Sequence, residues 1–158
     1  MSRLSAAAAV LITAGTLSAC GREATPTGPS GQSSFLTGTW RGTVTLQVNP
    51  RDPNPPPPTT GDMTMTFEVV PQTNMQSLRA TVRSTHPWLM MDTTATTGIS
   101  PGNSPPTQIS THGEFNTPRG CRGTFGSVGD AQATRIEADF TGSDCASTFI
   151  GRVVLTKG

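Results

Sequence analysis

From about residue 35 onward, apolar and polar residues alternate with a period of two, the signature of a strand with one face inside and one face in water. In TGTWRGTVTLQV, Trp40, Val44, Leu46 and Val48 share a face with Gly42, while Thr39, Arg41, Thr43, Thr45 and Gln47 share the other. DMTMTFEVV repeats the pattern through Met63, Met65, Phe67 and Val69, and SLRATVRS repeats it through Leu78, Ala80 and Val82. TRIEADF places Ile136, Ala138 and Phe140 opposite Arg135, Glu137 and Asp139, and TFIGRVVLT places Phe149, Val153 and Leu155 together. Weaker segments run from Trp88 to Thr96, Thr107 to Asn116 and Cys121 to Val128. Threonine, glycine and proline interrupt every helical window. The expected fold is therefore all-β: a single antiparallel β-barrel of about eight strands over residues 35–158, with a β-sandwich as the alternative.

The segment before this domain follows a different pattern. Met1, Ser2 and Arg3 give a short positive start, Leu4 to Thr16 are mostly apolar, and Leu17-Ser18-Ala19 precede Cys20. The apolar run is shorter than the ~20 residues a membrane-crossing helix needs, and its flanks read as a cleaved export signal over 1–19. Residues 20–34, CGREATPTGPSGQSS, carry no hydrophobic period and read as a disordered tether with a root-mean-square reach of ~20 Å.

LSAC resembles the lipobox of bacterial lipoproteins. The resemblance implies a diacylglyceryl thioether on Cys20 and acylation of its new amino terminus, which would make membrane lipid a partner of the chain. Two or more acyl chains hold a protein durably, since each buried methylene contributes ~0.8 kcal/mol. Glycine at position 21, where aspartate is associated with inner-membrane retention, points to the outer membrane of a bacterial cell envelope.

With Cys20 lipidated, Cys121 and Cys145 remain as a pair, and an oxidising compartment makes a disulfide between them the expectation. Placed on the sixth and eighth strands of an up-and-down barrel, they would lie ~9–10 Å apart, beyond disulfide reach. The bridge then requires Cys145 to lie in the GSDCAS loop and fold back, or a different strand order. Without a CxxC or a neighbouring histidine the two cysteines make a poor zinc set, and neither metal nor cofactor is expected.

GTWRG at the head of the first long strand resembles the glycine-x-tryptophan that opens lipocalin and, more loosely, other calycin barrels. The resemblance implies that Trp40 plugs a closed end and that an arginine near the last strand, here Arg152, covers it. By the alternation of its own segment Arg152 faces away from Phe149 and Val153, so this role needs a register shift. Trp40 as an ordinary large core residue is the other reading, and both bury it.

Eight strands in sequential order would put the loop PRDPNPPPPTTG, the Trp88 region and both cysteines at the end away from the tether, and SPGNSPP at the tethered end. Four successive prolines, Pro55 to Pro58, favour a stiff, exposed polyproline stretch suited to a rim. HPWLMM is the most apolar short stretch of the mature chain, and His86, Trp88, Met90 and Met91 are candidates for lining a ligand entrance.

Charge changes the picture mainly by exclusion. Eleven basic and ten acidic residues nearly cancel and are dispersed, so neither nucleic acid nor an acidic lipid surface is indicated. Tyrosine is absent and only two tryptophans occur, which argues against an aromatic stacking platform. No GxSxG, HExxH or phosphate-cradling glycine loop occurs, and neither His86 nor His112 stands in a catalytic signature. The expected role is non-enzymatic: a binding module for a small apolar or amphipathic ligand. The alternative is a protein-facing module such as a hydrolase inhibitor or an envelope assembly accessory. The two differ in whether the barrel interior is packed solid or hollow, because eight strands allow either.

Overall fold

The computed structural model describes residues 35–70, 77–100, 107–118 and 120–158. The export signal, Cys20, the tether and nearly all of the SPGNSPP loop lie outside the described residues. The rest forms a closed antiparallel barrel of β1 (Gly38–Val48), β2 (Thr59–Val69), β3 (Ser77–Ser84), β4 (Met91–Ile99), β5 (Thr107–Asn116), β6 (Arg122–Ala131), β7 (Arg135–Ser143) and β8 (Thr148–Lys157). Neighbours in sequence are neighbours in the sheet, and β1 pairs with β8 to close it. Closure leaves no unpaired strand edge.

The strong period-two segments keep the faces their sequences give them. Trp40, Val44, Leu46, Met63, Met65, Phe67, Leu78, Val82, Ile136, Phe140, Phe149, Val153 and Leu155 all point inward and are buried. Val69, grouped by alternation with Met63, Met65 and Phe67, departs from the pattern: at the last position of β2 it is 42% exposed. β4 begins at Met91 rather than at Trp88. Pro87 has no N–H for a ladder, and the Leu89 N–H bonds to the His86 carbonyl at 2.9 Å, so the chain turns there before pairing resumes.

The interior is filled. Phe115, Phe125, Phe140 and Phe149 form one cluster with ring centroids 5.7–6.3 Å apart. Each stands directly across from a glycine on the neighbouring strand: Phe115 from Gly123, Phe125 from Gly113, Phe140 from Gly151 and Phe149 from Gly142. A Cβ on Gly142 would lie 2.2 Å from the Phe149 ring, and one on Gly123 would lie 2.5 Å from the Phe115 ring. Rings covering glycines allow a strongly curved sheet to keep a dense core. At Gly42 and Gly151 it is backbone that closes in, with Val154 O and Thr45 O 2.0 and 1.9 Å from an added Cβ. The space at these glycines is thus taken by neighbouring chain. Thr97 and Thr111, the inward polar pair, bond to each other at 2.8 Å.

Both ends are stoppered. At the end where the described chain begins, Trp40 is fully buried and its indole N–H donates to the Leu36 carbonyl at 2.7 Å. Lys157, not Arg152, covers it: the ammonium stands 5.5 Å from the ring centroid and also donates to the Phe35 carbonyl. The expected role of Arg152 fails for the reason its alternation gives. It pairs across from Asp139 and Thr45 on the outer wall and bonds to Glu137.

The other end is stoppered by the β3–β4 loop. Gly61 on β2 has no side chain, and His86 occupies the vacated space; an added Cβ would meet His86 Cα at 2.5 Å. Leu89, also fully buried, completes the plug.

Candidate functional site

The loops after β1, β3, β5 and β7 crowd this second end, and each is pinned. In the β1–β2 loop Asn49 adopts φ 47°. Its N–H donates to the Thr148 carbonyl at 2.7 Å, and its side-chain oxygen accepts the Thr148 N–H at 3.1 Å. The β5–β6 turn is closed by Thr117, whose N–H donates to the Cys121 carbonyl at 2.8 Å and whose hydroxyl accepts the Cys121 N–H at 3.1 Å. In the β7–β8 loop Asp144 Oδ1 accepts the N–H groups of Ala146 and Ser147 at 2.8 and 2.7 Å, an Asx turn.

Cys121 and Cys145 are bridged, with Cα atoms 5.8 Å apart. Cys121 enters β6 and Cys145 leaves β7, and those strands are neighbours, so the bridge continues their ladder beyond its last pair, Thr124 and Ser143. Cys145 lies in the GSDCAS loop before β8 while the strand order stays sequential, the first of the two arrangements that the sequence left open for the bridge.

Between these loops lies a cleft of about 370 Å³ lined by Pro87, Trp88, Met90, Phe115, Pro118 and the disulfide, with Asp144 at its edge. Trp88 and Met90 are 46% and 52% exposed, large apolar side chains held in water. Of the candidates named from HPWLMM, these two reach the cleft. His86 and Met91 do not, since both are buried beneath it.

His86 is a brace. Its Nδ1 accepts the Trp88 N–H at 3.2 Å, so Nε2 carries the proton and donates to the Thr59 carbonyl at 3.0 Å. Its own N–H donates to Ser84 Oγ at 3.1 Å. The histidine therefore sets the path that leaves Trp88 outside.

Phe115, Pro118 and Ala146 also belong to the cleft and carry no local signal of it. The cysteine pair is the one sequence feature that joins their loops.

The outer wall carries charge pairs: Arg83 with Asp92 at 3.1 Å, Arg122 with Glu114 at 2.8 Å, and Glu137 between Arg135 and Arg152. Hydrogen bonds from Arg135 and then Arg152 hold the Glu137 carboxyl below its usual value of 4.5. These pairs are exposed and cross-strand, and they read as wall chemistry rather than a reacting set. No cluster of histidine, cysteine and carboxylates suited to a metal ion occurs among the described residues.

No family model matches this chain, and no curated protein matches it. A solved structure described as a redesigned beta barrel is similar over 80% of this chain and 94% of that one, at 17% identity and a TM-score of 0.38, too slight a likeness to carry an argument.

Proposed function

We propose that this chain is a lipid-anchored protein of the bacterial envelope, fixed by acylated Cys20 and most consistent with the outer membrane, that binds an apolar or amphipathic group in its rim cleft without catalysing a reaction. The observation that carries the reading is the contrast between a packed interior and an exposed Trp88–Met90 cleft built on pinned loops. Inward residues from every strand are shielded from water, so a ligand inside the barrel would have to displace core. The cleft needs no such displacement, and its volume falls at the small end of the ~300–1,000 Å³ range of ligand sites.

Rigid placement favours binding by lowering the ordering cost of the loops. A disulfide, an Asx turn and a buried histidine fix the three walls. The occupant is a small amphipath or the apolar side chains of another polypeptide; both use the same wall chemistry.

The test is native mass spectrometry of the full chain extracted from its own envelope in mild detergent, compared with a Trp88→Ser/Met90→Ser variant. The expected result is a bound species on the parent that is lost from the variant. The same species on both, or on neither, would overturn the cleft reading.

A further inference from the structure

We infer that the cleft's occupant is the Pro55–Pro58 segment of a second copy of this chain, so that two barrels join rim to rim. The inference rests on the cleft being the binding surface and names what fills it. Pro56, Pro57 and Pro58 are exposed, and the β1–β2 loop that carries them rises from the same rim as the cleft. None of residues 49–58 lines the cleft, so the chain's own prolines do not occupy it.

The two surfaces are chemically complementary. A run of prolines holds an extended left-handed helix at ~3.1 Å per residue, offers carbonyl acceptors but no N–H donors, and loses little entropy when bound. Such segments are recognised by aromatic-lined apolar grooves. Here the groove has Trp88 as its exposed ring, the buried Phe115 beneath it, Met90 as an adaptable wall and Pro87 and Pro118 at its sides. The exposed Trp88 indole N–H has no partner among the described residues and is free to meet a proline carbonyl.

Geometry selects a second copy over self-filling. Thr59, which follows Pro58, is held by the buried His86 at 3.0 Å, and the stiff prolines before it cannot fold back across the plug. Groove and ridge stand side by side on one rim. A two-fold axis between facing rims therefore places each ridge in the other's groove, the self-complementary arrangement of an isologous dimer. Every contact is made twice, which raises affinity without a larger patch on either copy.

The experiment replaces Ala146, an exposed residue of the cleft wall, with p-benzoylphenylalanine in the full chain, mixes ¹⁴N and ¹⁵N preparations in mild detergent, irradiates, and maps the adducts by peptide mass spectrometry. The expected product is a mixed-isotope cross-link from position 146 to the peptide bearing Pro55–Pro58. That cross-link should be lost when all four prolines are changed to serine, in a variant whose Cys121 and Cys145 remain unreactive to a thiol reagent. The reciprocal probe at Pro56 should label the walls around Phe115–Cys121 or Asp144–Ser147, which keeps the test sound if the serine variant misfolds. Adducts to a foreign protein or a lipid, or only within one copy, overturn the inference while leaving a binding cleft. No adduct at all overturns both.

Discussion

At the residue scale, the fold depends on a few side chains whose value comes from what lies opposite. A methyl on Gly142 meets the Phe149 ring at 2.2 Å, and one on Gly61 meets His86 at 2.5 Å. Overpacking of this kind costs ~1–3 kcal/mol, so Gly142→Ala and Gly61→Ala should each lower stability by about that much in a denaturant titration. Only Gly61→Ala should also displace the rim plug, read as a change in Trp88 fluorescence. An unchanged denaturation midpoint would contradict the packing described.

Glu137 gives a pH-dependent counterpart. Its folded pKa lies below 4.5 because Arg135 and Arg152 bond to the ionised form. Its contribution to stability is therefore present above the unfolded value and is lost as pH falls through the folded value. NMR titration should find the Glu137 midpoint depressed, and Arg135→Met/Arg152→Met should return it toward the ordinary range.

Some of this residue-level detail was legible in sequence and some was not. The outward face of Arg152 followed from alternation alone. The role of Lys157 did not, because it depends on barrel closure bringing the end of β8 beside β1. Alternation also gave no warning that the inward glycines lie under phenylalanines, since that requires the register.

At the element scale, the strands with large apolar residues declared themselves, whereas β4 was blurred. Its buried positions include Ala95 and Thr97, and a threonine whose hydroxyl is matched by Thr111 looks like a surface residue in one dimension. The start of β4 was misplaced for a related reason: HPWLMM is apolar throughout, so period could not separate loop from strand.

The Cys121–Cys145 bridge spans a sequence separation of 24 and ties two rim loops together. In the chain-entropy model such a loop contributes about 3 kcal/mol. Cys121→Ser/Cys145→Ser should therefore lower the unfolding free energy by about that amount and speed hydrogen exchange in residues 117–121 and 144–147. Full reaction of the parent protein with a thiol reagent before reduction would contradict the bridge.

At the scale of the whole molecule, a solid barrel stoppered by Trp40 and Lys157 at one end and by His86 and Leu89 at the other keeps those two ends apart. The described chain begins at the Trp40 end, so an anchor at Cys20 would present the rim cleft away from the lipid. Cys20→Ser should move the protein from the membrane to the soluble fraction, and continued membrane residence would contradict the anchor.

The central claim, that binding occurs on the rim and not inside, is tested most directly by hydrogen–deuterium exchange of the full chain, as extracted from its envelope and after removal of bound material. The account expects the difference in protection to be confined to 85–90, 117–121 and 144–147, extending to the proline loop where a second copy is the occupant. Protection changes spread along the inward-facing strands, with the rim unaltered, would contradict it.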